Sequence, residues 1–440
     1  MSRPALATLR PLAVHVAVRT GALRIANYVV GFAVSLVISR ALGPMGRGEY
    51  YLPILTANTL VLLFHFSIEH ANIYLLSEKK ASLRQLTGQA TTIAFVGGIV
   101  AVLLSVVFFL LKTGVTSDLP LNLLLAALVP VPLLIHQVYI SGLLVVSGAV
   151  VAVQRRVLLS GGAQAVMLAV LWLYGAISPL SVILAADITA ILGWSLLLSL
   201  IRQTTSTAPI WDPALVRESL SFGLKMHTGA IFVFLNLRAD AYLVKSYAGL
   251  MALGYYSLAA TLVETIWLAT DSVAMVVLQR QTESDLPSSA LLTARVCRVN
   301  FAIAGLLAGA LAISIYPIIR YGYGANFMPT VIPVLILLPG IVVSSQWRPL
   351  GGYLIKLGRP AMISVINAAG VVLNIGLNVA LIPLINIKGA ALSTTLSYSF
   401  VTVLYGAWFL RSSSTRFVDL FRIRPSDVGW FQPTIPTSRP

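Results

Sequence analysis

The chain has 440 residues, of which 58% are hydrophobic and only 10% charged, against roughly 25% charged in an ordinary soluble domain. A chain this apolar cannot clothe a globule in polar groups, which excludes a soluble protein, whereas surface facing lipid needs no such cover. The formal charge of +16, from 30 Lys and Arg against 14 Asp and Glu, reads as the basic excess of cytoplasmic membrane loops rather than as a nucleic-acid surface.

In chain order, Arg3 and Arg10 precede a short apolar run from Leu12 to Val18. Arg19 and Arg24 follow at once, so the run is an uncleaved interfacial lead-in rather than a secretory signal. Spanning helices are predicted at 21–41, 50–76, 89–111, 120–147, 156–177, 180–201, 219–246, 252–279, 296–319, 329–355, 361–382 and 388–410. An even count puts both termini on one side. With that side taken as cytoplasmic, Arg40, Arg47, Lys112, Lys245, Arg320 and Lys388 are external, Arg238 and Arg348 fall within spans, and the other 22 of the 30 basic residues are internal. A bias that alternates loop by loop supports both the count and the orientation. The largest polar connection, 204–217, separates residues 1–203 from 218–411, and the tail 412–440, rich in Pro, Ser and Arg, is expected to be poorly ordered.

The two halves echo each other. Gly48 and Gly254 open the second and eighth spans, 206 positions apart, and Pro130 and Pro339 lie 209 apart in the fourth and tenth. Gly142 and Gly148 match Gly352 and Gly358, and Arg202 matches Arg411. Such a duplication predicts parallel repeats with matched proline bends, and matched interruptions point to a central site. Behind each proline comes a polar layer, His136 and Gln137 in one half, Gln346 and Arg348 in the other.

Ionisable groups inside a membrane face a cavity or a partner. Arg24 either snorkels at the inner end of the first span or faces a cavity. Arg348 belongs to the proline-led polar layer. Arg238 and Asp240, two positions apart, point to different sides of one helix and need separate partners; a carboxylate such as Glu264 or Asp271 is open to Arg238. Glu264 and Asp271, seven apart, share a helix face. These acids, with Glu69 and Asp240, are candidates for ion coupling or structural pairing, and Asp187 is a further intramembrane carboxylate. His65, Glu69 and His70 imitate metal-ligand spacing, but no third ligand stands out. No phosphate-binding loop and no nucleophile motif occurs, so no cofactor and no enzymatic activity is expected. Cys297 stands alone and is read as a packed core residue.

Several stretches, in order and spacing together, resemble a known family. Ser39-Arg40-Ala41-Leu42-Gly43-Pro44-Met45-Gly46-Arg47-Gly48-Glu49-Tyr50 resembles the stretch after the first helix of bacterial polysaccharide flippases. Asn236 to Asp240, Gly254-Tyr255-Tyr256, Glu264 to Trp267, Leu338-Pro339-Gly340, Gly352-Tyr353-Leu354, Gly358-Arg359-Pro360 and Lys388-Gly389-Ala390-Ala391 continue the resemblance to about residue 411. The family is the polysaccharide-transporter (Wzx-like) branch of the superfamily that also holds the MATE multidrug exporters and the lipid II flippase.

The resemblance implies an all-α polytopic membrane protein, MATE-like, with about twelve transmembrane helices in two pseudo-symmetric six-helix lobes around a central cavity. It implies a flippase in the bacterial cytoplasmic membrane that moves undecaprenyl-pyrophosphate-linked oligosaccharide by alternating access. Arg24, Arg238 and Arg348 are then the pyrophosphate candidates, with His136, Gln137 and Gln346 adding hydrogen bonds. The implied partners are the lipid-linked oligosaccharide, membrane lipids and the polysaccharide polymerase and chain-length machinery, with no nucleic acid. The rivals are a multidrug exporter on the same fold, which would want a more acidic or apolar cavity, and a membrane glycan polymerase or ligase, which would want a large outer loop.

Overall fold

The computed structural model describes residues 3–112, 114–116, 118–413, 415–422, 424 and 427, with side chains from Arg19 onward except those of residues 276, 278–280, 282 and 360. The N-terminal run from Leu12 to Val18 lies outside the described side chains. The helices are α1 (Arg3–Phe64), α2 (Ile68–Ser77), α3 (Leu83–Leu110), α4 (Leu121–Leu128), α5 (Val131–Val146), α6 (Val150–Leu173), α7 (Pro179–Arg202), α8 (Pro213–Glu283), α9 (Leu286–Pro317), α10 (Val331–Ser344), α11 (Trp347–Lys356), α12 (Pro360–Ile385) and α13 (Ile387–Ser412). Among the described residues there is no strand, and nine segments are long and apolar enough to cross a membrane. The chain is an all-α polytopic membrane protein.

Two of those nine segments, Arg19–Phe64 and Pro213–Met275, are far longer than one crossing requires. Each is interrupted by one glycine with almost the same backbone: Gly43 at φ 67°, ψ −178°, and Gly249 at φ 84°, ψ −180°. Positive φ carries no steric cost only for glycine, so both turns sit where the sequence can make them. Dividing the two at these glycines, and counting α13, whose hydroxyl run from Ser393 to Ser399 lowers its hydropathy, gives twelve spanning segments.

Contacts divide the chain into two compact units. One holds the residues up to Ser257 together with Ile319–Met328. In it α1 packs on α6 and α7, α5 on α2, α3 and α7, and α4 on α7. Ile68, Ala90, Leu124, Val131, Ile135 and Tyr139 belong to one apolar cluster in it. Serine caps start α3 (Ser82 with Gln85) and α7 (Ser178 with Ser181). The contact boundary at Ser257 lies inside α8, well beyond the polar connection at 204–217. The reason is local: the helix after Gly249 is held to the helix after Gly43. A Cβ on Gly48 would stand 1.9 Å from the Leu250 carbonyl oxygen, and one on Gly254 1.9 Å from that of Pro44. Arg40 also ties in the 319–328 stretch, donating from Nη1 to the carbonyls of Tyr321 and Gly322, each at 3.3 Å.

The other unit runs from Leu258 to Ile318 and from Pro329 onward. Here α13 packs on α10, α11 and α12, and α9 on α10 and α11. Cys297 is buried in its core with Leu350, Tyr353, Val401 and Phe409.

Two expectations are modified. Pro130 does interrupt a helix, standing between α4 and α5. Pro339, in contrast, lies inside an unbroken α10, and the interruption comes at Ser345 and Gln346. Close support from α13 explains the difference: Thr395 Oγ1 donates to the Ile336 carbonyl at 2.6 Å, and a Cβ on Gly340 would stand 2.8 Å from the Thr395 Cα. The tail, expected to be poorly ordered, is packed where it is described. Leu420 is buried, the Phe421 ring meets Phe301 edge-on, and Asp427 takes both Arg298 Nε (2.7 Å) and Nη2 (2.8 Å). The Arg298 hydrogen bond holds the Asp427 carboxyl down to about 2. Residues 425, 426 and 428–440 of that tail lie outside the described residues.

Candidate functional site

In the first unit the candidate arginines Arg24 on α1 and Arg238 on α8 are both half-buried. Arg238 Nη1 donates to the Leu237 carbonyl at 3.0 Å. Asp240 is held separately, as the two-residue spacing requires. It is 3% exposed, its Oδ1 accepts the Ala241 N–H at 2.7 Å, and its Oδ2 accepts the Tyr256 hydroxyl. A carboxylate so engaged orders the turn of helix where Arg238 sits.

Glu69 lies at the break between α1 and α2, where Phe66 and Ser67 both have positive φ. Its Oε2 is 3.1 Å from His65 Nδ1 and its Oε1 3.6 Å from His70 Nε2. Ser67 links this group to His227 of α8, whose Nδ1 is 3.2 Å from the Ser67 hydroxyl. Gly223 allows the approach, since a Cβ there would stand 2.4 Å from the Phe66 carbonyl oxygen. Among the described residues no three His, Cys, Asp or Glu come together as a metal site.

His136, expected to offer hydrogen bonds to a ligand, has both ring nitrogens engaged by the protein. Trp194 Nε1 donates to its Nδ1 at 3.0 Å, and its Nε2 lies 3.0 Å from Thr91 Oγ1. An indole only donates, so in the neutral ring Nδ1 accepts and the proton is on Nε2, facing threonine. His136 is 1% exposed, yet its ring forms part of the floor of a cavity of about 860 Å³. The cavity opens where α7 ends and is walled by residues 202–209. Gln137, one position on, leaves its Oε1 buried without a hydrogen-bond partner among the described residues, as does Asp187 with its Oδ1.

In the second unit Arg348 Nε pairs with Asp271 Oδ1. Asp271 was open to Arg238 from sequence, so this arginine takes one of the carboxylates considered for the other. Arg348 keeps more than half its side chain uncovered by this chain. Glu264, one face with Asp271, is half-buried. Gln346 is 1% exposed with Nε2 buried and without a hydrogen-bond partner among the described residues. Around it Trp267 donates to Ser344 (3.1 Å), Trp347 to Thr402 (2.7 Å) and Asn300 to the Ser345 carbonyl (3.0 Å). Of the polar layer behind Pro339, Gln346 is therefore internal to the bundle, whereas Arg348 is not.

Sequence reasoning missed Arg47. It was counted with the external cations, but it is 2% exposed and bonded to Ser257 Oγ (3.2 Å), Ser35 Oγ (3.2 Å) and Ser39 Oγ (2.5 Å). The available signal was its place between Gly46 and Gly48, residues that let helices approach closely. The 860 Å³ cavity was also missed, because half its wall comes from a connection that composition reads as a linker.

Comparison with known proteins gives these arrangements a context. No curated protein matches the chain. Among solved structures it is similar to the lipid II flippase MurJ in an inward closed conformation, with a TM-score of 0.76 and 14% identity over 90% of this chain and 88% of that one. It is similar to an inward-facing multidrug resistance MATE family transporter of the MOP superfamily, at 0.68 and 10% identity over 90% and 98%. It is also similar to a MOP superfamily transporter from Pyrococcus furiosus, at 0.65 and 10% identity over 91% and 95%. At such identities the likeness is one of fold. The model of one family, described as polysaccharide biosynthesis protein, matches residues 18–278, more than half of the sequence. The chain belongs to the polysaccharide biosynthesis protein family and carries the fold shared by the lipid II flippase and the MATE transporters.

Proposed function

We propose that this protein is a flippase that moves an undecaprenyl-pyrophosphate-linked oligosaccharide repeat unit from the inner to the outer leaflet of the bacterial cytoplasmic membrane, for cell-surface polysaccharide. One observation carries the reading: a member of a polysaccharide biosynthesis family is built, over 90% of its length, on the fold of a lipid II flippase. A substrate with a pyrophosphate link wants guanidinium groups inside the membrane, because their planar fork matches phosphate oxygens in pairs. Arg24 and Arg238, half-buried on spanning helices, supply that chemistry. With no nucleotide-binding loop in the chain, transport by alternating access would draw on an ion gradient or on removal of the product by the polymerase and chain-length machinery. The MATE likeness favours a second reading, export of small molecules. Export of cationic drugs wants acidic groups, and the arginines speak for the anionic cargo.

The test uses cells lacking the native gene, with membrane abundance measured alongside. The wild-type chain restores surface polysaccharide and leaves drug susceptibility unchanged. Arg238→Lys keeps the charge and loses the fork, so polysaccharide falls about tenfold or more at equal abundance. Drug resistance without polysaccharide would establish the exporter instead. Normal polysaccharide from an abundant Arg238→Ala, Arg348→Ala double variant would remove these two arginines from the site.

A further inference from the structure

The cavity at the end of α7 has a chemistry of its own. Its volume of about 860 Å³ falls in the range of roughly 300–1,000 Å³ that suits a small ligand. Its lining is partly aromatic: Phe95, His136 and Trp194 have ring centres 5.7 and 6.3 Å apart and planes inclined at 56° and 50°, with Phe95 and Trp194 half-buried. The bond from Trp194 to His136 sets the orientation of the indole. Its wall is built in advance. Thr92 Oγ1 donates to the Ile210 carbonyl (3.0 Å), Ile210 N–H to the Gly88 carbonyl (3.2 Å) and Arg202 Nε to Thr207 Oγ1 (3.1 Å).

Several polar groups there are left over. Arg202 uses only Nε, so its terminal nitrogens have no hydrogen-bond partner among the described residues. Gln203 and Thr205 make no side-chain hydrogen bond among those residues, and Ser206 Oγ accepts from Ala208 N–H with its own proton to spare.

Three ligand classes can be weighed against this set. A cationic molecule wants a carboxylate, and among the described residues no Asp or Glu lines the cavity. A free phosphate wants several positive groups, but among the described residues Arg202 is the one Lys or Arg lining it, and it stands at the carboxyl end of α7, where the helix dipole repels anions. A sugar wants what is present. The C–H face of a pyranose packs on an aromatic face such as the half-buried Trp194 indole, while its hydroxyls, both donors and acceptors, bond to planar Arg and Gln groups and to hydroxyls. We infer that this cavity is a glycan subsite, which takes a few sugar rings of the oligosaccharide while the pyrophosphate link and lipid lie elsewhere. The inference rests on the flippase reading and adds to it the part of the cargo that this unit recognises.

The test uses the purified full chain in lipid nanodiscs and, as probe, the repeat-unit oligosaccharide released from its lipid carrier. Saturation-transfer NMR reads binding, and vesicle translocation of the intact lipid-linked species is measured in parallel. Wild type binds the free oligosaccharide. Gln203→Ala and Thr205→Val, which leave no buried partner stranded, weaken it several-fold, and Arg202→Ala weakens it about tenfold. Affinity for undecaprenyl pyrophosphate without sugar stays unchanged in all three. If all three variants bind the oligosaccharide like wild type, or lose the sugar-free carrier equally, the subsite is refuted even where wild-type translocation stands. If wild type binds the oligosaccharide through these residues yet translocates nothing, the subsite stands and the flippase reading falls.

Discussion

Arg47 shows how much a single side chain changes meaning once its neighbours are known. By position it counts as one of a few external cations. In the fold, three serine hydroxyls from α1 and α8 surround its guanidinium. The fork reaches Ser257 through Nε and Ser35 and Ser39 through Nη1, whereas an ammonium offers its three donors from a single point. Arg47→Lys is therefore expected to lower the stability of the detergent-solubilised protein by about 1–3 kcal/mol, seen as a drop in the thermal unfolding midpoint. An unchanged midpoint would show that the serines contribute nothing. Arg348 makes the opposite case: its place in the polar layer was readable, and its partner Asp271 was not, because the partner lies on another helix far along the chain.

At the scale of elements, the glycine turns divide the long helices and also bring them together. Gly43 and Gly249 need positive φ, and Gly48 and Gly254, five residues later in each case, let backbone meet backbone. The obstacle to a larger residue is a carbonyl, which cannot rotate away like a side-chain end. Gly48→Ala or Gly254→Ala must separate the two helices, so each is expected to cost at least the roughly 1–3 kcal/mol of ordinary overpacking and to reduce membrane abundance. Gly31→Ala is the control. Nothing stands within 4 Å of its Cβ and its φ is ordinary, so it should be neutral or stabilise by up to about 1 kcal/mol. Equal abundance of all three variants would contradict the close approach.

At the scale of the whole molecule, membrane topology follows from charge. Twelve crossings with cytoplasmic termini place Ser206 and Ser414 inside and Ser117 outside. Reporter fusions at those three positions are expected to give an outward signal only from Ser117; an outward signal from Ser206 or Ser414 would reverse the orientation on which the inner-to-outer direction of transport depends.

Composition and loop charge by themselves determined that this is a polytopic helical membrane protein, and glycine and proline spacing led to the expectation of two related halves. Those are properties of local sequence: hydropathy is summed over one helix, and a positive-φ turn needs its glycine in place. The tertiary structure alone decided which buried polar groups remain for a ligand. Asp240 went to Tyr256, Asp271 to Arg348 and His136 to Trp194 and Thr91, each pairing joining residues from different turns or helices. The same holds for the division into compact units. The sequence places the boundary at 204–217, yet contacts carry the first unit to Ser257. Backbone apposition at Gly48 and Gly254 depends on two stretches 206 residues apart, and no local pattern records that they touch.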